Sequence, residues 1–277
     1  MKAFAARLQP KIAAQGPLCV GLDPSAALLK TCDLPDSPDG AAEFGKRVLE
    51  ACEGLVAIVK PQSAFFERFG SGGLRTLEEV VRFARSRDIL VLLDGKRGDI
   101  DTTGAAYAQG YFSETTTLRV DAATTHAYLG LGALDPFFDI AIGGGGGVFV
   151  VVRSSNPEGQ ALQTARLASG ETVVEHLCNE ITRRNRAHGG EFGPIGAVVG
   201  ATCDDADAIV KAMPHSFILA PGVGAQGATM QDVLRRMPAG RGRVLPSVSR
   251  AILANGGTVT DIRTTIRALQ EQARALL

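Results

Sequence analysis

The stretch "VLLDGKRGDIDTT", Val91–Thr103, sets an apolar run directly against a burst of charge. The run opens at Ile89 and closes at Leu93, and Asp94, Lys96, Arg97, Asp99 and Asp101 follow at once. A short, continuous apolar run reads as a strand buried on both faces, which is how strands of parallel sheets read. Asp94 and Lys96 are two residues apart, so an extended chain points both side chains the same way. Crowded charges are costly to dehydrate. In a parallel α/β fold, the carboxyl end of a strand is where such a cost is met for chemistry.

Working outward, similar runs recur along the chain: "LCVGL" (18–22), "LVAIV" (55–59), "VDAAT" (120–124), "VFVVV" (148–152), "IGAVV" (195–199), "FILA" (217–220) and "RVLPSV" (243–248). Segments with helical spacing lie between them. "AAEFGKRVLEAC" places Phe44, Val48, Leu49 and Cys52 on one face, and "LEEVVRFARS" does the same with Leu77, Val80, Val81 and Ala84. "ETVVEHLCNEITRRN" and "TVTDIRTTIRALQEQARALL" are longer examples. Eight strand–helix units predict an α/β fold, a (β/α)8 TIM barrel, with a short helix before the first strand. The rival is an open doubly wound sheet; eight units with no linker-like break favour the barrel. Residues 1–277 are therefore expected to form a single barrel domain. An enlarged loop and helix, at about 156–194, is expected after strand five. "IGGGGG" (142–147) enters a strand rather than leaving one, the reverse of a phosphate cradle, and reads as a flexible connection.

Composition narrows the partners. Of 277 residues, 45% are hydrophobic and 21% charged, and 29 basic residues balance 29 acidic ones. Nothing here advertises nucleic acid or an anionic membrane, so any anion site must be local. Five scattered cysteines, Cys19, Cys32, Cys52, Cys178 and Cys203, form no C-x-x-C pair. Reduced thiols in a cytoplasm fit them better than a zinc site or disulfides. No apolar run has the length of a membrane span or a signal peptide.

The strand ends collect polar residues in order. Strand one ends in Asp23, strand two in Lys60, and strand three in Asp94 and Lys96 with Asp99 beyond. Strand four ends in "TTHAY" with His126, strand five in "RSSNPEG" with Ser154 and Ser155, strand six in Thr202. Alternating acids and bases hold one another charged. Alone, D-x-K-x-x-D fits equally a buried salt-bridge network closing the barrel mouth. The other strand ends point to a site. "PGVGAQGAT" after strand seven carries G-x-G-x-x-G at Gly222, Gly224 and Gly227. No acid stands about 20 residues on, which argues against a dinucleotide site. A loop whose backbone amides hold one phosphate fits better, as barrels often bind phosphate after strands seven and eight. Arg250 can grip that phosphate in a bidentate contact, and Gln226 can close over it. His126 reads equally as a pocket residue and as a structural histidine. Arg97 is expected to point away from Lys96.

Together, "GLDPS", "VKPQSAFFE", "LLDGKRGDIDTT", "PGVGAQG" and "SVSRAI" resemble the orotidine 5′-phosphate decarboxylase family, in its longer bacterial branch, type 2. The motifs span Leu22 to Ile252, and the most specific sets Asp94, Lys96, Asp99, Ile100 and Thr103 in D-x-K-x-x-D-I-x-x-T. The resemblance implies decarboxylation of orotidine 5′-monophosphate to uridine 5′-monophosphate (UMP), with no metal and no other cofactor. It implies that Lys96 protonates C6 of the pyrimidine, that Asp94 sits against the substrate carboxylate, and that Lys60 bridges Asp94 and the ribose. Asp23 would hold a ribose hydroxyl, and Ser155, or Ser154 in a shifted register, the pyrimidine. Pro221, Gln226 and Arg250 would bind substrate at the phosphate end. Asp99 and Thr103 would reach across a homodimer interface into the neighbouring site. Metal-dependent relatives with the same D-x-K-x-x-D are expected to carry an acid at the end of strand two, where this chain has Lys60. A barrel that binds without turnover would have lost part of the charged set, and none is missing here.

Overall fold

The structure, a computed structural model, describes residues 2–224 and 227–277. Eight parallel strands close into a barrel in sequential order. They are β1 (Cys19–Leu22), β2 (Ile58–Pro61), β3 (Leu90–Arg97), β4 (Ala122–His126), β5 (Gly147–Arg153), β6 (Ile195–Val199), β7 (Ile218–Pro221) and β8 (Val244–Val248). The helices are α1 (Phe4–Gln15), α2 (Ala26–Thr31), α3 (Pro38–Cys52), α4 (Ala64–Glu67), α5 (Gly70–Ser86) and α6 (Asp101–Phe112). After them come α7 (Asp135–Gly143), α8 (Glu158–Gln163), α9 (Val173–Ala187), α10 (Ala206–Ala212), α11 (Met230–Arg236) and α12 (Val259–Ala273). The eight predicted strands are the eight observed, each within a few residues. β2 starts three residues later than its apolar run suggests, since Leu55 and Val56 belong to the turn that ends α3.

Two apolar cores follow from strand alternation. Val20, Val59, Val91, Val148, Val150 and Val152 pack outward against helices such as α3 and α5, whose predicted faces are buried. Cys19, Ile58, Leu90, Leu92, Ala122, Phe149, Leu219 and Leu245 fill the barrel interior. Phe4, Leu8 and Ile12 of α1 belong to this inner core, so α1 stoppers the amino-terminal end of the barrel. Its Arg7 reaches Asp121, whose other carboxylate oxygen accepts Val91 N–H at 2.9 Å. Val120 N–H goes to Tyr111 O of α6 at 2.9 Å, not to a strand, and β4 begins at Ala122 and not at Val120. The polar strand ends are left to the face opposite α1.

The glycine run before β5 is not a slack connection. Gly145 takes φ +73°, and a Cβ on Gly146 or Gly147 would strike the rings of Phe112 or Phe4, at 2.6 and 2.4 Å. These glycines let α1 and α6 pack against the start of β5. The segment after β5 carries α8, a small antiparallel bridge between Arg166 and Thr172, and α9. Thr172 and Glu175 close a capping box at the start of α9. Among the described residues no helix is long and apolar enough to cross a membrane. All five cysteines are unpaired and buried.

Candidate active site

The inward-facing positions of β1 to β4 turn from apolar to charged within one layer at the carboxyl-terminal rim. Asp94 is its centre. One carboxylate oxygen accepts Lys60 Nζ at 2.9 Å and Gln62 Nε2 at 3.1 Å; the other accepts Lys96 Nζ at 2.5 Å and Thr124 Oγ1 at 2.8 Å. Lys60 Nζ also lies 3.9 Å from Asp23. Asp23 Oδ1 is buried and takes no hydrogen bond among the described residues. The order along the rim is acid, base, acid, base: Asp23, Lys60, Asp94, Lys96.

Electrostatics follow from this packing. Burial on its own would push the Asp94 carboxyl up, but Lys60 and Lys96 outweigh it and hold the group well below the usual carboxylate range. Burial would likewise lower Lys60; Asp94 and Asp23 reverse that and raise it above an ordinary lysine. Both therefore stay charged across the neutral range. Beneath them the Cys19 thiol, pushed up to about 12 mainly by burial, is a neutral floor.

Lys96 sits apart from its neighbours. Pairing between β3 and β4 shifts register between Leu93 and Arg97, and Lys96 takes φ +45°, a left-handed backbone that a non-glycine residue rarely adopts. Thr124 Oγ1 accepts its backbone N–H at 3.0 Å. The strained turn lifts the Lys96 side chain, 45% exposed, over the pocket while Lys60 stays buried at 8%. Such strain gathers at functional sites. Arg97 points away, as expected, and pairs with Glu67 of α4.

Not every expected residue joins this cluster. Asp99 accepts the backbone N–H of Ile100 at 2.8 Å and makes no ion pair with Lys96 in the same chain. Thr103, in the first turn of α6, is exposed. Pro221 ends β7, and the loop beyond it has Gly222, Gly224 and Gly227 at positive φ, with Gly224 N–H bonded to Ala228 O at 2.8 Å. Gln226 lies outside the described residues. Arg250 starts a short 3-10 turn directly after β8. The Ser154 hydroxyl is engaged by Gln163 at 2.7 Å and by Asn156 at 2.6 Å. Ser155 packs on Gly200, where a Cβ would approach it to 2.9 Å. His126 packs on Gly98 and leaves Nδ1 without a partner among the described residues.

Sequence reading missed Thr124 and Gln62. Thr124 was findable: it alternates with Ala122 and His126, so it faces the barrel axis.

A closed parallel barrel with alternating lysines and aspartates on its carboxyl-terminal rim, followed by a glycine loop and an arginine on the last two strands, defines a class: a barrel enzyme for a phosphorylated substrate. The model of the orotidine 5′-phosphate decarboxylase / HUMPS family matches residues 16–265. An orotidine 5′-phosphate decarboxylase of Salinispora arenicola is 46% identical over 277 residues, covering 100% of this chain and 99% of that protein. A crystal structure from Streptomyces avermitilis superposes with a TM-score of 0.93 at 41% identity, covering 100% of this chain and 96% of the other. The OMP decarboxylase of Leishmania donovani gives 0.80 at 32% identity, with 99% and 98% covered. The chain belongs to the orotidine 5′-phosphate decarboxylase / HUMPS family.

Proposed function

We propose that the chain decarboxylates orotidine 5′-monophosphate to uridine 5′-monophosphate, the last step of de novo UMP synthesis. The observation that carries this reading is the Lys60–Asp94–Lys96 array, one carboxylate gripped by two ammonium groups at adjacent strand ends. Loss of carbon dioxide breaks the bond at C6 and leaves the electron pair there, on a ring with no adjacent carbonyl to spread it. A cation held beside that carbon stabilises the charge as it develops. Lys96 is that cation, and its Nζ–H delivers the proton to C6. Asp94 keeps Lys96 aimed and faces the substrate carboxylate. Lys60 braces Asp94 and reaches the ribose, and Asp23 accepts a ribose hydroxyl. No cofactor is needed. Lys60 at the end of β2 also favours this reading over a metal-dependent relative, since an ammonium group there would repel a metal ion.

The remaining roles follow the rim. Ser155 holds the pyrimidine, the role that the family resemblance implies for it. Pro221, Gln226 and Arg250 bind the phosphate end, far from C6, where binding energy can be used to organise the reacting centre. The enzyme works in the cytoplasm as a homodimer, with Asp99 and Thr103 completing the neighbour's site. The exposure of Thr103 supports that, as do exposed apolar side chains on the same connection and after β4: Ile100, Tyr107, Tyr128 and Leu129, Tyr128 to 74%.

The test is ultraviolet-monitored turnover of orotidine 5′-monophosphate in the presence of chelator, with Lys96→Ala alongside. Turnover that persists in chelator and disappears in the variant supports the reading. A folded wild-type protein without turnover overturns it and directs attention to sugar phosphates with added divalent metal.

A further inference from the structure

The charged cluster occupies β1 to β4; the far side of the mouth, after β5, is built differently. Pairing between β5 and β6 shifts register between Val151 and Arg153, a bulge at the last strand residue. Bulges re-aim side chains. Phe149 and Val151 face the barrel interior, so plain alternation would send Arg153 that way too. Instead its guanidinium turns to Asp205, just before α10, with Nε 3.0 and 3.3 Å from the two carboxylate oxygens. Nη1 donates to Gln163 Oε1 of α8 at 3.0 Å and to Ser154 O at 3.1 Å. Gln163 Oε1 also accepts Ser154 N–H at 3.1 Å, while its Nε2 donates to Ser154 Oγ at 2.7 Å. Carbonyl, amide and hydroxyl of Ser154 are thus all tied, and the next residue, Ser155, is seated on Gly200.

We infer that Arg153, Asp205 and Gln163 form a positioning knot that fixes Ser155 against the pyrimidine and makes α8 part of the binding site. The inference rests on the reading of Ser155 as the pyrimidine contact. The geometry has the features positioning requires: a planar fork bonded on several sides, a partly buried ion pair, and a helix side chain nine residues on that grips both the backbone and the hydroxyl of Ser154. Arg153 touches no substrate; it acts through Ser155.

The experiment compares wild type with Arg153→Met, Gln163→Ala, Ser155→Ala and Arg153→Met/Ser155→Ala. Turnover is followed, and calorimetric affinity is measured for UMP and for ribose 5-phosphate, which lacks the base. We expect Arg153→Met to lower kcat/KM by about tenfold to a hundredfold, the size of a misplaced contact. UMP should bind more weakly while ribose 5-phosphate affinity stays unchanged. In the Ser155→Ala background, Arg153→Met should cost no more than about twofold further. Gln163→Ala, on an exposed helix, makes a milder cut of the same knot and replaces Arg153→Met should that variant not fold. Equal loss of both ligands, full additivity of the double variant, or unchanged kinetics in the knot variants would each overturn the knot. A wild-type protein that neither turns over nor binds UMP would instead overturn the functional reading beneath it.

Discussion

Lys60 and Lys96 share one carboxylate but are held differently, and substitution should separate them. Lys96 is half exposed on a strained turn, so Lys96→Ala takes one partner from Asp94 but opens that side of the carboxylate to water. We expect turnover to vanish with a smaller fall in the denaturation midpoint than Lys60→Ala causes. Lys60 is buried against Asp94, and Lys60→Ala leaves that carboxylate with less of its compensation, a change that costs about 3–5 kcal/mol in comparable buried pairs. Urea unfolding of the two variants checks the contrast; equal destabilisation would contradict it. The pH dependence has a sign at each end. Asp94 is depressed in the folded state, so its contribution is present above the ordinary carboxylate value, about 3.9, and is lost as pH falls through the folded value. Lys60 is raised, so its contribution is present below an ordinary lysine's value, about 10.4, and is lost as pH rises through the folded value. The pair therefore adds to stability throughout the neutral range. In Asp94→Asn the acid-side fall in unfolding midpoint should shrink; an unchanged acid limb would mean other carboxylates set it.

At the scale of elements, the connection from β3 to α6 joins backbone geometry to chemistry. Gly98 lies against His126, and a Cβ there would stand 2.5 Å from the His126 carbonyl oxygen. Backbone cannot yield as a flexible side chain can, so Gly98→Ala must displace the loop that carries Asp99. We expect kcat/KM to fall by about tenfold or more, beyond what lost stability explains, because small displacements at a reacting centre are costly. Activity measured beside thermal unfolding decides it, and wild-type activity would show that the loop absorbs the methyl group. This connection also marks where the sequence was informative. Strands were legible because burial on both faces writes continuous apolar runs, and Asp23, Lys60, Asp94 and Lys96 were legible because each follows such a run directly. Thr124 carries no charge to draw the eye, although alternation along β4 points it inward. Arg153, Gln163 and Asp205 could not be joined from sequence: their contacts span 10 and 52 residues and depend on a bulge that no local pattern announces. The glycines at 143–147 read as slack because composition does not reveal the rings of Phe4 and Phe112 that they accommodate.

At the scale of the whole molecule, the homodimer proposal makes a demand that no single chain can meet. Lys96 and Asp99 are three residues apart, yet Lys96 pairs with Asp94 over its own pocket while Asp99 accepts the Ile100 N–H and makes no ion pair with Lys96. If each site takes Lys96 from one chain and Asp99 from the other, Lys96→Ala and Asp99→Ala are both inactive as homodimers. A mixed dimer is different: one of its two sites has lost both residues, and the other has kept both. Mixing the inactive variants under conditions of subunit exchange should therefore restore up to about a quarter of wild-type activity per total subunit: random pairing makes half of the dimers mixed, and each has one intact site of two. Tyr128→Asp, which places a charge on the exposed apolar surface, should weaken association and lower activity at dilute protein, with recovery at high concentration. Proven exchange without recovery would confine the site to one chain. It would also leave Asp99 and Thr103 without the role assigned to them, while the Lys60–Asp94–Lys96 array, complete within one chain, would keep its own.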